Sequence, residues 1–257
     1  MRSIWTGSIS FGLVNIPIKL YSAVESTSLD LDMLDKKDHS HIQFKRVNEK
    51  TGKEVAWENI VKGYKVDNQY VVLTDEDFKK ASPEKTKTID ITEFVEVEEV
   101  PPIYYDASYY IEPEKTGGKA YVLLRDSLLK SKKAALGTFV LRSKENLCLI
   151  NPSEKILLLH KIKYAQEIRS IEDIKVPESK VSTAEVNMAM KLIEQLSGEF
   201  DVSKYKDTYT ETLLEFIEAK AKGKKFKAPK MQVVHSGTKD LMEELKASLS
   251  QVKRKAS

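Results

Sequence analysis

Apolar and polar residues alternate near the start of the chain with the two-residue period of a half-buried β-strand. Residues 9–13 carry Ile, Phe and Leu at alternate positions, and residues 16–20 continue with Ile, Ile and Leu at the opposite parity. A bulge or corner between the two stretches would reset the parity, and Pro17 favours a sheet edge or corner. We therefore predict one long, bent strand that forms a wall of the fold.

Further strand patterns follow, with a short helix between them. A strand at residues 71–73 ends at Thr74, where a capping box with Asp77 predicts a helix that stops before Pro83. Residues 89–97 then place two Ile and two Val side chains at one parity and acidic or Thr side chains at the other. This alternation predicts a long strand with one apolar face and one wet face.

A second helix and three more strands complete this part of the chain. Gly117-Gly118 precedes a helix in which Tyr121, Leu124 and Leu128 form an apolar stripe. Turn signals separate the strands that we predict at residues 136–142, 146–150 and 156–162. Short strands at this spacing indicate a mostly antiparallel meander that closes into a barrel or a sandwich.

The pattern changes to helices after Pro177. Ser182 and Glu185 form a capping box before a helix that Gly198 terminates, and a second amphipathic helix ends near Gly223. Two such helices can pack on the β domain or embrace a partner subunit, and the pattern does not separate these options. The sequence therefore predicts an α+β protein with an antiparallel β-barrel core followed by a helical arm.

The last part of the chain has the composition of a linker followed by one more helix. Residues 220–236 are rich in lysine, and Thr238 is predicted to cap a helix that has an apolar side. Such a tethered amphipathic helix is typical of a partner-docking element, although it could also fold back on its own domain. The predicted partner-docking residues are Leu241, Met242, Leu245 and Leu249.

Composition narrows the class of protein. Of 257 residues, 41% are hydrophobic and 32% are charged, and no apolar run approaches the roughly 20 residues that span a bilayer. We therefore expect no membrane segment, and the N-terminus lacks the pattern of a signal peptide. Cys148 is the single cysteine, so no intrachain disulfide can form, which fits a reducing cytoplasm.

Charge is distributed in blocks, although the net charge is only +3. Residues 36–53 hold six basic and two acidic side chains, residues 119–144 hold seven and one, and residues 220–230 hold six and none. Residues 84–114 are acidic, with nine acidic and two basic side chains. Such a bipolar chain can turn a basic face toward phosphate, and flexible cations along a surface suffice for that contact.

The sequence lacks the common catalytic motifs for nucleotide, serine-hydrolase and zinc-protease chemistry. Cys148 lies in an apolar strand and is predicted to be a core residue, and His39 with His41 has no companion ligand at zinc spacing. We predict no catalytic residue, metal or cofactor. Two alternatives stay open: a metal-dependent nuclease that uses the acidic strand 93–99, and an RNA-binding β-barrel module.

The literal residues of the opening stretch, Met1 to Tyr21, resemble the first strand of the prokaryotic Ku family. Similar blocks follow in the same order along nearly the whole chain, at residues 60–64, 70–78, 93–95, 102–105, 108–110, 163–169, 205–209, 213–220 and 240–249. The resemblance implies a β-barrel core and DNA-encircling bridge in residues 1–176, a helical dimerisation arm in residues 177–222, and a linker with a docking helix in residues 223–257.

The resemblance also implies a function. Members of this family form a homodimeric ring that threads onto double-stranded DNA ends without reading sequence and recruits ligase D in non-homologous end joining. This implies a non-enzymatic, cytoplasmic and nucleoid-associated repair protein. From the charge blocks, the predicted DNA-contact residues are Lys19, Lys36, Lys37, Lys45, Arg46, Lys53, Lys130, Lys132, Lys133, Arg142 and Lys144. The lysines near residue 130 could instead serve the C-terminus of their helix.

The chain departs from the family pattern at one place. Many bacterial relatives carry a C-x-x-C pair just after the block that matches residues 45–47, where this sequence has Asn48 and Thr51. A zinc or redox role tied to that pair is therefore not expected here. The basic tail after Ser250 is also short, so its contribution to DNA binding should be small.

Overall fold

A computed structural model describes residues 1–81, 87–226 and 241–255. The chain divides into two units, Met1–Ile171 and Glu172–Ser257. The strands of the first unit are β1 (Trp5–Phe11), β2 (Val14–Ser22), β3 (Lys62–Val66), β4 (Gln69–Leu73), β5 (Thr88–Glu96), β6 (Tyr105–Pro113), β7 (Lys133–Leu141), β8 (Lys144–Pro152) and β9 (Leu157–Ile162). The helices of the two units are α1 (Asp75–Ala81), α2 (Gly118–Ser131), α3 (Thr183–Leu196), α4 (Thr208–Ala221) and α5 (Leu241–Lys255).

Seven strands close into a barrel in the order β1-β2-β6-β9-β8-β7-β5. Neighbouring strands are antiparallel except β1 and β5, which pair in parallel through residues 8–10 and 88–90. The predicted α+β class and β-barrel core are thus confirmed, and the barrel rather than the sandwich is the observed architecture. The parallel pair closes the ring, so the barrel has no exposed edge.

The opening stretch is a hairpin, so the prediction of one long, bent strand is wrong. Phe11 pairs with Val14, and only Gly12 and Leu13 form the turn, with Gly12 at φ 58° and Leu13 fully exposed. Since β2 runs back along β1, Ile9 lies opposite Ile16, and both side chains point into the barrel. The reversal of direction explains the change of parity that the sequence shows.

Pro17 does not mark a sheet edge, because β2 lies between β1 and β6. Its position is tolerated for a local reason: the pairing of β2 with β6 begins one residue later, where Ile18 lies opposite Pro113. The Pro17 oxygen accepts a hydrogen bond from Glu114 N, 2.9 Å away. A strand interior can therefore hold a proline where the neighbouring ladder has already ended.

The long strand predicted at residues 89–97 is also divided. The register of β5 against β7 shifts between Ile91 and Glu93, which is a β-bulge. Ile91 consequently packs with the side chains inside the barrel, whereas Val95 packs with a cluster on the outside. The prediction of one continuous apolar face is wrong, because the extra residue of a bulge moves the following side chains to the other face.

Apolar side chains fill the barrel, and α2 closes one end of it. Tyr121, Leu124 and Leu128, the predicted stripe of this helix, are all buried against the interior. The Tyr121 hydroxyl donates to Ile111 O at 2.8 Å and accepts from Leu157 N at 2.7 Å. The helix is thereby fixed at the end where β6 finishes and β9 begins, which we call the α2 end.

A long excursion, residues 23–81, leaves the barrel after β2. It contains the two-stranded sheet β3-β4 and the helix α1, whose start Thr74 and Asp77 cap through reciprocal hydrogen bonds, as predicted. None of its residues is buried, and its large apolar side chains include Phe44 at 78% and Trp57 at 72% exposure. The excursion therefore has no core of its own comparable with that of the barrel.

The second unit is helical. The predicted capping box before α3 is present, since Ser182 N donates to Glu185 and Glu185 N to the Ser182 hydroxyl. The helix ends at Leu196, capped by Ser197 rather than Gly198, and packs against α5. Thr238 and most of the predicted linker lie outside the described residues. Among the described helices, none combines the length and apolar composition that a bilayer-spanning segment needs.

Candidate nucleic-acid interface

The end of the barrel opposite α2 carries charged side chains, and we call it the polar end. It is formed by the start of β6, the end of β9 and the turn between β7 and β8. The excursion also leaves the barrel toward this end, because β2 runs antiparallel to β6: Ser22 at its end lies opposite Tyr109 in the middle of β6, and Ala23 N donates to Ser108 O. Charged groups of the barrel and the base of the excursion therefore share one end.

An ion-pair cluster occupies the polar end. Lys161 Nζ lies 2.6 Å and Lys163 Nζ 3.2 Å from the carboxylate of Asp106, and all three side chains are about one-third exposed. The hydrogen bond from Lys161 lowers the pKa of Asp106 against the opposing effect of burial. The same bond raises the pKa of Lys161. Both shifts favour the charged forms, so Asp106 and Lys161 form an ion pair to which Lys163 adds a second lysine.

The turn between β7 and β8 brings two predicted contact residues to the same end. Arg142 at φ 53° and Ser143 at φ 67° form a two-residue turn. Lys144 Nζ then lies 4.0 Å from the carboxylate of Glu167. Glu167 also contributes, after Asp106, to the raised pKa of Lys161. Glu167 therefore connects Lys144 with the ion-pair cluster, while Arg142 lies on the turn just before Lys144.

Five predicted contact residues lie on the excursion, and all are exposed. Lys36 and Lys37 lie in a turn bounded by the bridge between Leu34 and His41. Lys45 Nζ pairs with Glu54 at 2.8 Å, and the Arg46 guanidinium lies 4.5 Å from the centre of the Trp57 ring. Surface pairs of this kind hold a side chain in place while leaving the charge in water. Lys53 lies in the same small hairpin.

The place of the relatives' C-x-x-C pair is a hydrogen-bonded turn in this chain. Asn48 Oδ1 accepts from Lys50 N at 3.0 Å and from Thr51 N at 3.1 Å. Gly52 N donates to Asn48 O, and Asn48 N donates to Lys53 O. An Asx turn thus stabilises the tip of this hairpin without cysteine.

The remaining four predicted contact residues lie toward the α2 end. Lys19 Nζ is 3.8 Å from Glu114, and Lys132 caps α2 in the left-handed conformation, its N–H donating to Leu128 and Leu129 oxygens. Lys130 is in the last turn of α2, and half-buried Lys133 begins β7 opposite Glu96. The nine residues of β7 separate this group from Arg142 by about 26 Å, so the two groups form no single patch.

The sequence analysis does not single out Lys161 and Lys163, which the structure places at the polar end. The signal was present, because both flank Ile162 in the strand predicted at residues 156–162 and share the parity of the buried Leu157 and Leu159. A lysine at an inward position can only be accommodated at the end of a barrel or beside a counter-ion. Here both conditions hold.

Other candidate chemistry is placed as follows. Cys148 is buried as predicted, and burial raises its pKa to about 12, so its thiol is protonated and unreactive. Within residues 1–81, 87–226 and 241–255, no three or more His, Cys, Asp or Glu side chains are arranged to hold a metal ion.

Comparison with known proteins places the chain in one family. Residues 10–188 match the family model described as Ku70/Ku80 beta-barrel domain. Proteins called non-homologous end joining protein Ku are similar over most of their length. The Anaeromyxobacter relative is 40% identical over 99% of this chain and 87% of its own, and the Bacillus subtilis relative 39% identical over 99% and 83%. The Archaeoglobus fulgidus relative is 39% identical over 98% of this chain and 100% of its own. Together with the closed barrel, these matches show that the chain belongs to the Ku family.

Proposed function

We propose that this protein binds the ends of double-stranded DNA without sequence preference, as a homodimeric ring that threads onto the duplex during non-homologous end joining. Family membership carries this proposal. The printed names of the relatives assign them to non-homologous end joining, and their similarity covers nearly the whole of this chain. The protein would then act in the cytoplasm on the nucleoid, as a binding protein and not as an enzyme.

The placement of cations supports a phosphate interface on the excursion and the polar end. The excursion presents Lys36, Lys37, Lys45, Arg46 and Lys53 to solvent, and it leaves the barrel at the end where Arg142 and Lys144 lie. Cations spread along a surface neutralise successive phosphates and release counterions, which gives affinity without reading bases. Lys19, Lys130, Lys132 and Lys133 stay predictions, and their positions toward the α2 end rank them below the others.

The second copy in the ring is proposed to meet the helical arm, residues 177–222. Val186, Met190 and Ile193 lie on one face of α3 and are 47%, 59% and 59% exposed. Tyr209 and Phe216 of α4 are also exposed, at 74% and 42%. An apolar helix face of this kind is stabilised when a two-fold related copy covers it.

The C-terminal helix α5 is proposed to recruit ligase D. Met242 and Leu245, two of the predicted docking residues, are half-buried in the second unit, where α5 packs against α3. Nothing is described of the side chains of Leu241 and Leu249, the other two. An amphipathic helix that is tethered by a linker can exchange between its own unit and a groove on a partner.

The decisive experiment is competition between linear and supercoiled circular plasmid for the protein bound to a labelled blunt duplex. A ring that enters only from an end is displaced by linear plasmid and hardly at all by the circle. Equal competition would leave a general basic surface in place of a ring. Single-stranded RNA belongs in the same assay, since tighter binding to it than to duplex DNA would favour the RNA-binding alternative.

A matched pair of variants tests the arm. Met190→Glu with Ile193→Glu puts two charges on the exposed apolar face of α3, and we expect monomers in sedimentation and loss of retention on DNA ends. Lys191→Glu changes the charge on the same helix outside that apolar face and should leave the dimer intact. A dimer that persists in the double variant would contradict the arm assignment.

Removal of residues 238–257 tests α5. The truncated protein is expected to bind DNA ends as before and to lose its stimulation of ligase D. Unchanged stimulation would contradict the docking role of the helix, while loss of DNA binding would show that the helix serves the fold of its unit.

A further inference from the structure

Lys161 and Lys163 share the parity of the β9 residues whose side chains point into the barrel. Leu157 and Leu159, at the same parity, are completely buried, while Lys161 and Lys163 keep about 28% and 36% of their side chains exposed. The interior of the barrel therefore ends in two ammonium groups at the polar end. Asp106, at the bulge of β6 between Tyr105 and Ala107, is the carboxylate that holds both of them.

The charge of this cluster is not balanced. One carboxylate faces two ammonium groups, so the cluster carries a net charge of +1. Each ammonium group has three N–H donors, and the contact with Asp106 uses one of them. The cluster can therefore offer further donors to an anion while the carboxylate fixes the direction of both flexible side chains.

We propose that Lys161 and Lys163 bind DNA phosphates at the polar end, and that Asp106 competes with those phosphates for the two lysines. This proposal rests on the proposed function of the chain. Phosphate is the anion that the surroundings favour, because Arg142 and Lys144 lie on the adjacent turn and Lys144 is linked to Lys161 through Glu167. A duplex that meets this end would find four cations, two at the β7–β8 hairpin and two at the end of β9, with Asp106 and Glu167 among them.

Asp106 affects the binding of a phosphate in two opposite ways. In the free protein the Asp106 carboxylate holds Lys161 Nζ at 2.6 Å and Lys163 Nζ at 3.2 Å. Both side chains are therefore already ordered, and little conformational freedom is lost when they bind a phosphate. In the complex Asp106 remains as an anion beside the phosphate and weakens the attraction. A ring that must stay on the duplex and still move along it requires phosphate contacts that break and form again. Competition between Asp106 and the phosphates for the two lysines would allow this.

The test is the dependence of duplex affinity on salt, measured for the full chain and four single variants. Lys161→Gln and Lys163→Gln each leave Asp106 one lysine partner, so each variant keeps an ion pair at the polar end. Asp106→Asn removes the competing anion. Lys155→Gln is the matched control, because Lys155 is exposed in the turn before β9, at the opposite end of the same strand.

Each phosphate contact changes the slope of log affinity against log salt by about 0.9. We expect the slope to become shallower by about that amount in Lys161→Gln and in Lys163→Gln, so that the affinity lost between 50 and 200 mM salt is about threefold smaller. Asp106→Asn should bind more tightly at low salt with a steeper slope. Lys155→Gln should match the unmodified protein, and thermal melting of every variant checks that the barrel is intact.

Two results would overturn the proposal. Slopes of Lys161→Gln and Lys163→Gln that equal the slope of Lys155→Gln would show that the two lysines do not contact phosphate. An Asp106→Asn protein with unchanged affinity and slope would show that the carboxylate does not compete. Failure of the proposed function is a different result, since the unmodified protein would then bind circular and linear plasmid equally well.

Discussion

The barrel and the excursion belong to the same unit of the chain, yet they use apolar residues in opposite ways. In the barrel, Ile9, Ile16 and Leu159 are completely buried, and α2 closes the interior at one end. In the excursion, Phe44, Trp57 and Tyr70 are each more than 70% exposed. Both regions contain aliphatic and aromatic side chains, so the types of residue present do not by themselves distinguish the barrel from the excursion.

The difference lies in closure. Seven strands paired in a ring can turn every second side chain inward, and each buried side chain is then surrounded by others. Among the described residues, β3 and β4 pair with no third strand, and all of their residues except Leu73 are exposed, so neither face becomes an interior. The barrel should therefore provide the stability of the unit, while the excursion provides exposed surface, which the proposed function assigns to DNA.

Substitution of a phenylalanine in each region gives the largest contrast. Phe139 is 1% exposed and packs edge to face against Trp5, with ring centres 6.2 Å apart. Phe139→Ala should lower the free energy of unfolding by about 3–5 kcal/mol, through lost burial and the cavity left behind. Phe44→Ala, at 78% exposure, should change it by less than about 0.5 kcal/mol. Urea denaturation measures both values.

Equal losses in the two variants would contradict the division of roles. A large loss in Phe44→Ala at high protein concentration, which disappears on dilution, would instead place Phe44 at the contact with a second copy. Measuring the unfolding transition at two concentrations separates the two cases.

A pair of glycines gives the next contrast. At Gly137 of β7 an added Cβ would lie against the backbone oxygen of Asp90 in β5, far inside van der Waals contact. At Gly63 of β3 the nearest atom would be a Tyr70 ring carbon at 3.4 Å. Gly137→Ala should cost about 1–3 kcal/mol of unfolding free energy, because backbone must move. Gly63→Ala should be neutral within about 0.5 kcal/mol.

The glycine pair would contradict the comparison if both variants unfolded at the same denaturant concentration. Thermal melting provides an independent measure. If Gly137→Ala kept its stability, the two strands would have to separate locally, and amide exchange in β5 and β7 would then become faster.

These contrasts also explain what could be predicted from the sequence. The stripe of α2 and the capping box of α3 were predicted correctly, because both depend on residues close together in the chain. The sequence predicts one bent strand where the structure has a hairpin, because a two-residue turn at Gly12 and Leu13 and a bulge change parity in the same way. The sequence does not predict the bulge in β5, because no residue type near Thr92 marks the position where the register shifts.

The candidate site shows the same limit. Clusters of basic residues along the chain identified Arg142 and Lys144, which share one turn. Lys161 and Lys163 were not identified, since their partner Asp106 is more than fifty residues away and belongs to an acidic block. Counting charges in blocks of the sequence does not detect ion pairs between distant residues. The closed barrel is needed to show which cations lie at the same end.

The smallest expected effect is a pH dependence that arises in the barrel. His160 lies on β9, its Nδ1 2.8 Å from the Ser108 hydroxyl, and burial lowers its pKa from the usual 6.5. The unfolded chain therefore takes up a proton at a higher pH than the folded protein does. Unfolding free energy should fall as the pH drops below about 6.5 and level off below the folded pKa.

A second window lies at lower pH and comes from Asp106, whose pKa the hydrogen bond from Lys161 lowers. Its contribution is present above the usual carboxyl pKa of 3.8 and is lost as the pH falls through the lower, folded value. His160→Gln should abolish the first window and keep the second, while Asp106→Asn should do the reverse. Denaturation midpoints at pH 8, 5.5 and about 2.5 separate the two, because the second window lies below pH 3.8. A first window that survives in His160→Gln would assign it to a group other than His160, and the barrel would then not be the region whose titration controls stability near neutral pH.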